Sequence, residues 1–133
     1  LNHKIEFYFV SMGNPHAVVF LEDLNALPLE EIAPVMEKHS RFENRTNIEF
    51  VKVIDENSLK VRVWERGAAW TLGCGTGACA ASVAAIATQK VNHPVQVHLP
   101  GGSLELSWKP GESVFMKGPA NEVFRGQWPV DSI

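Results

Sequence analysis

Thr76-Gly77-Ala78-Cys79-Ala80-Ala81-Ser82-Val83-Ala84-Ala85-Ile86-Ala87 is the stretch whose reading decides the fold. Its residues are small or apolar on every face, and it is rich in alanine, the strongest helix former. A helix without a polar face belongs inside a domain and not on its surface. The flanking sequence has a different period. Ile5–Met12 and Ala17–Leu21 are aromatic and β-branched and predict two strands, joined by the polar turn Gly13-Asn14-Pro15-His16. Asn47–Ile54 and Leu59–Glu65 alternate with period two around Asp55-Glu56-Asn57-Ser58, which predicts a hairpin. Val95–Leu99, Leu104–Trp108, Val114–Lys117 and Asn121–Phe124 predict further short strands, separated by Pro100-Gly101-Gly102 and Lys109-Pro110-Gly111. Leu29, Ile32, Val35 and Met36 recur at helical spacing and predict a short surface helix. Glu30 and Glu31 fall in its first turn and Lys38 and His39 in its last, and Pro34 is expected to kink or restart it. About eight short strands around one apolar helix predict an α+β fold. The sheet is expected to be strongly curved and mostly antiparallel, or an incomplete barrel, wrapped around a buried central helix whose Ala and Gly residues let strands approach closely.

The chain has 133 residues, 45% of them hydrophobic and 20% charged, which suits one globular domain and excludes disorder and low-complexity classes. No linker, repeat or internal boundary interrupts it. No apolar run approaches the ~20 residues of a bilayer crossing, and no signal peptide opens the chain, so a soluble protein without membrane contact is expected. Twelve Lys and Arg against fifteen Asp and Glu give a formal charge of −3, with basic residues scattered singly; no nucleic-acid partner is expected. A small, partly polar ligand is the better default. Two cysteines without a secretory signal point to a reducing, cytoplasmic setting, in which the glycosylation pattern Asn44-Arg45-Thr46 would stand idle. The chain begins at Leu1 and not at an initiator Met, which suggests a piece of a longer protein.

Gly73-Cys74-Gly75-Thr76-Gly77 opens the apolar helix. Free N–H groups and the positive dipole end at such a place form an anion site and lower the pKa of a thiol there. Cys74 is therefore the candidate base or nucleophile. The plainer alternative is a tight turn with Thr76 capping the helix. Cys79, five residues on, leaves the helix on another face and reads as a core thiol, and a helical rise of ~7.5 Å makes a disulfide between the two a poor fit. Cys74, Cys79, His93 and His98 approach a zinc-finger spacing with the order of helix and hairpin inverted, so no metal is expected. The turn also lacks the Lys of a Walker phosphate loop. Glu65-Arg66-Gly67 lies at a strand end only nine residues before Cys74. Arg66 could clamp a carboxylate and Glu65 could accept an ammonium, which together suit an amino acid. A surface ion pair there and a simple Asn14-Pro15 turn are the bland readings. Asn47 is an amide donor or a turn residue, and His3 and His39 read as solvated.

Taken together, Ser11-Met12-Gly13-Asn14-Pro15-His16, Asn47-Ile48-Glu49-Phe50-Val51, Glu65-Arg66-Gly67-Ala68 and Cys74-Gly75-Thr76-Gly77-Ala78-Cys79-Ala80 resemble diaminopimelate epimerase in that family's order and spacing. The resemblance covers essentially the whole chain and only the C-terminal half of the family, whose members have two similar domains with a catalytic cysteine at the start of each central helix. It implies an isomerase of lysine and peptidoglycan synthesis that needs no cofactor. One cysteine would remove the α-proton as thiolate while the other, as thiol, delivers a proton to the opposite face. Cys74 matches one of that pair. Gly75 and Thr76 match positions whose N–H groups hold the reacting α-carboxylate, Glu65 and Arg66 match substrate-contacting positions, and Asn14 and Asn47 match amides that read the distal centre. His16 belongs to the first motif as a further candidate. The implied partners are the amino-acid substrate and an N-terminal domain absent from this chain, with a homodimer compatible. Trp70 stands where the family often has an acidic residue. The alternatives are a related amino-acid racemase resembling proline racemase, or a non-catalytic fold module. Without the second base and a dry cavity, this chain alone is expected to be inactive.

Overall fold

The computed structural model describes residues 3–132. Its elements are β1 (Tyr8–Ser11), β2 (Pro15–Phe20), α1 (Leu29–Glu37), β3 (Asn47–Asp55), β4 (Ser58–Glu65), β5 (Ala69–Thr71), α2 (Gly75–Ala87), β6 (Val95–Leu99), β7 (Gly102–Ser107) and β8 (Phe115–Lys117), followed by a 3-10 turn at Val130–Ser132. The strands form one sheet in the order β1-β2-β3-β4-β6-β7-β8, with β5 as a branch on β4. Pairs β2–β3 and β4–β6 are parallel and the other five antiparallel. The sheet curls into a half-barrel around α2, as the sequence predicts. The helix touches β1, β2, β3, β4, β6 and β7.

Side-chain alternation divides the core into two. On the concave face Val18, Val51, Leu59, Val61, Val63, Val95, Val97 and Leu106 pack against Ala78, Cys79, Ala80, Ala81, Ala84 and Ala85 of α2. Five alanines in that contact keep the helix thin, so one curved sheet can close on it from several sides. On the convex face Ala17, Val19, Ile48 and Phe50 meet Leu29, Ile32 and Ala33 of α1.

Three expectations need correction, and one strand is additional to them. The segment 121–124 is not a strand: pairing stops at Lys117, Gly118-Pro119 follows without a proline N–H to extend the ladder, and Val123 and Phe124 remain more than four-fifths exposed. The first strand is only Tyr8–Ser11, its pairing with β2 running from Tyr8 opposite Val18 to Ser11 opposite Pro15. Helix α1 runs unbroken through Pro34 and ends at Glu37, leaving Lys38 and His39 beyond the last turn. Strand β5 was not expected, since Ala69–Thr71 is too short to show a period.

Trp70 lies on β5 opposite Trp64 of β4, facing α1 and not α2. Its ring packs against Phe50 and Trp64, the Arg62 guanidinium lies 4.1 Å from its centroid, and its indole N–H donates to Glu30. The departure from the acidic residue is thus a packing feature of the convex face. Trp70→Glu is expected to cost about 2 kcal/mol in urea unfolding, through lost ring contacts and a new carboxylate beside Glu30, while leaving the alkylation rate of Cys74 unchanged.

Candidate active site

Period two places the polar side chains. The residues of β2, β3 and β4 that face α2 are His16 and Val18, Glu49 and Val51, and Val61, Val63 and Glu65. Three ionisable groups from separate stretches of sequence therefore reach the same side of the sheet, at the end where α2 begins.

Cys74 is the N-cap of α2, held in an extended conformation (φ −140°, ψ 112°), and its Sγ accepts from the Gly77 N–H at 3.3 Å. The Ala78 N–H bonds the Cys74 carbonyl at 2.9 Å. Helix α2 thus starts one residue earlier than the sequence suggests, and the cysteine itself caps it in place of Thr76. The N–H groups of Gly75 and Thr76 take no protein acceptor among the described residues. They are the exposed positive end of the dipole. Cys79 is buried among the apolar side chains of the concave core, and both cysteines are free thiols.

A helix N-terminus alone would lower the Cys74 pKa, and here the balance runs the other way. Burial pushes the thiol up, the Thr76 hydroxyl and the Gly77 N–H pull it down, and the nearby Glu65 carboxylate pushes it up again, with a lesser push from Glu49 when that group is ionised; the result lies above the ordinary thiol value. Two acidic neighbours were not part of the expectation built on the dipole. Cys74 is a thiol at neutral pH.

The first motif supplies a connected set of polar groups. Asn14 donates from Nδ2 to Thr76 Oγ1 at 3.2 Å and presents Oδ1 to His16 Nε2 at 3.1 Å. His16 Nδ1 lies 2.7 Å from Glu49 Oε1, and both side chains are completely buried. Thr76 Oγ1 is 3.6 Å from Cys74 Sγ. Sequence reading gave Glu49 no role. A carboxylate sharing the inward parity of Val51 was the available signal. Gly77 is a consequence of this crowding, because a Cβ there would lie 2.8 Å from Glu49 Oε1 and 3.2 Å from Cys74 Sγ. Gly77→Ala is expected to lower stability by about 1–2 kcal/mol in urea unfolding, the strain exceeding the ~1 kcal/mol helix gain.

The second set braces the loop after β4. Asn47 donates from Nδ2 to the Pro15 carbonyl at 2.9 Å and accepts from the Arg66 N–H at 2.8 Å, so its amide joins β2 to that loop. Glu65 accepts from Thr71 Oγ1 at 2.7 Å. Glu37, at the end of α1, accepts from Trp64 Nε1 at 2.6 Å and from the Gly67 N–H at 3.0 Å, and lies 3.4 Å from Arg45. The Arg66 side chain is exposed and donates to the Asn44 carbonyl. With Asn14, Arg41 and Arg45 it lines an open cleft of about 400 Å³. Cys74 lies outside that lining, and Asn14, bonded to Thr76, joins the cleft to the helix start. A larger groove of about 610 Å³ runs between residues 3–7 and α1 and contains none of these groups.

Among the described residues no three His, Cys, Asp or Glu side chains gather as metal ligands, and no helix is long and apolar enough to cross a membrane. His98, one of the zinc-spaced residues, instead pairs with Ser103 at 2.8 Å.

A family profile described as diaminopimelate epimerase matches residues 8–123. Diaminopimelate epimerase from Moorella thermoacetica is 52% identical over 123 residues, covering 92% of this chain and 44% of that protein. The Synechococcus elongatus protein of the same name is 54% identical over 117 residues, 88% of this chain and 42% of that one. The chain thus spans less than half the length of these curated relatives. Among solved structures, a PhzC/PhzF protein described as putative in phenazine biosynthesis, from Clostridium difficile, superposes with a TM-score of 0.59 at 23% identity, covering 80% of this chain and 41% of that one. A phenazine biosynthesis protein of the PhzF family from Bacillus anthracis gives 0.57 at 19%, over 83% and 38%. At that identity the likeness is one of fold.

Proposed function

The chain belongs to the diaminopimelate epimerase family, and from that premise we propose that it forms one half of a cofactor-independent epimerase site acting on diaminopimelate, with Cys74 as one of two proton-transferring cysteines. The observation that carries the reading is the thiol at the start of α2, beside two N–H groups that take no acceptor among the described residues. The substrate α-carboxylate is bound there by the Gly75 and Thr76 N–H groups, which also stabilise charge as the α-carbon becomes carbanion-like. Glu65 takes the α-ammonium, and Arg66, exposed in the cleft, takes the distal carboxylate. Asn14 and Asn47 read the distal centre, and His16 supports Asn14.

Cys74, a thiol at rest, is ready to donate a proton. Its service as base in the reverse direction draws on the substrate, whose ammonium offsets the Glu65 carboxylate that otherwise disfavours the thiolate. The second cysteine and the walls that exclude water belong to an N-terminal domain, which fits the half-length match to the relatives. The reading places the reaction in lysine biosynthesis in the cytoplasm.

The test replaces the corresponding C-terminal stretch of the Moorella thermoacetica protein with this chain and follows α-proton exchange into D2O by NMR, with LL-diaminopimelate, meso-diaminopimelate and proline offered separately. Exchange with both diaminopimelate forms and none with proline is expected from the chimera, and none from this chain alone. Exchange with proline only would replace the assignment by a racemase. A folded chimera inert to all three would leave a binding module.

A further inference from the structure

Glu49 is wholly buried, yet only one of its carboxyl oxygens is used: Oε1 meets His16 Nδ1, while Oε2 has no hydrogen-bond partner among the described residues. A buried carboxyl group of this kind is costly unless something requires it. The bonding pattern says what that is. Asn14 Nδ2 donates to Thr76, so the amide turns its oxygen to His16 Nε2, and an amide oxygen only accepts. His16 Nε2 therefore carries a proton. The remaining proton of the pair lies between Nδ1 and Oε1, on the carboxyl or on the ring, and the pair is uncharged overall in either arrangement. Burial pushes the Glu49 carboxyl above the ordinary range against the pull of His16, with the Glu65 charge adding to the rise, which favours the proton on Glu49. From Glu49 the donors then point one way: to His16, to Asn14, to Thr76, whose oxygen is occupied as an acceptor and whose O–H is left facing Cys74 Sγ.

We propose that Glu49 is a positioning residue for Cys74, fixing the His16 ring in its Nε2–H form and, through Asn14 and Thr76, directing a hydroxyl donor at the sulfur. The catalytic consequence rests on the reading of Cys74 given above, whereas the positioning does not. Among the described residues, the other ionisable groups at this end of the face are Glu65 from β4 and the two thiols of α2, while Tyr8 of β1 and Lys90 pack against Phe20 farther along β2. Gly77 leaves the carboxyl its room.

Long-range 1H–15N NMR of this chain at neutral pH reads the ring directly, the His16 signals being identified by their loss in His16→Gln. A single Nε2–H form is expected in the parent chain and in Glu49→Gln, whose amide can donate to Nδ1. Glu49→Val is expected to release the ring to a mixture of tautomers and to slow iodoacetamide alkylation of Cys74 by about fivefold, while Glu49→Gln stays within about twofold of the parent. An Nδ1–H ring in the parent chain, or a Glu49→Val variant with the Nε2–H form and alkylation rate intact, overturns the proposal. Should Glu49→Val not fold, the parent and Glu49→Gln decide it: the Nε2–H form in both supports it, and any other result overturns it. None of these readouts needs substrate, so they stand apart from the outcome of the exchange experiment.

Discussion

Cys74→Ala is expected to lower α-proton exchange of diaminopimelate by about 10³-fold or more in the chimeric enzyme, the loss that follows removal of a positioned acid–base group. The methyl group left behind can neither hold nor release a proton. The helix cap it loses is a single Sγ acceptor to the Gly77 N–H, so the fold is expected to survive with a cost of about 1 kcal/mol. Cys79→Ala is the matched control. That thiol is 7% exposed within the concave core, and its removal is expected to cost about 1–2 kcal/mol of stability while leaving exchange within about twofold. Equal loss of exchange in both folded variants would refute the assignment of Cys74. The pH dependence carries a further sign. Because the Cys74 thiol titrates above its ordinary value, alkylation in the free chain should still be climbing at pH 9, where an unperturbed cysteine, with a pKa near 8.5, is already mostly thiolate.

Glu37→Ala is expected to destabilise the chain by about 2–4 kcal/mol, the largest stability effect of the variants considered. The carboxylate sits at the C-terminal end of α1, 4% exposed, and three donors converge on it from β4, from the loop after β4 and from Arg45. Removing it leaves the Trp64 indole N–H and the Gly67 N–H without their acceptor in a part-buried setting. Gly67 follows Arg66, so the same change loosens the loop that carries the proposed carboxylate clamp. Weaker substrate binding in the chimera, seen as a raised KM with a smaller change in kcat, is the expected companion. Burial alone would push Glu37 up, but Trp64, Gly67 and Arg45 outweigh it and hold the carboxyl below its ordinary range. The unfolded chain therefore takes up this proton first as pH falls, and the contribution of Glu37 is complete above the unfolded value and lost as pH drops through the folded one. Urea midpoints of parent and variant should accordingly converge between about pH 5 and pH 3. A gap that stays constant across that window would mean that Glu37 acts through packing and not through its charge.

The sequence by itself determined the two periods that make this fold. A twelve-residue run with no polar face could only be an interior helix, and the β-branched alternation of 47–54 and 59–65 could only be a hairpin. Those patterns are local, and they also placed Cys74 at a helix start, the one chemical fact that the sequence states outright. What the sequence left open depends on contacts between distant residues. The parallel pairing of β2 with β3 brings His16 and Glu49 to the same face across 33 positions, and no spacing along the chain signals it. Glu37 reaching Trp64 and Gly67, and Trp70 turning to the convex side, arise from how α1 and the short β5 dock on the finished sheet. The thiol shows the difference most directly. A helix N-terminus can be read from glycines, and it predicts a lowered pKa; burial, first of all, and the Glu65 carboxylate that the sheet brings near reverse the direction, because desolvation and charge act through space and not along the chain.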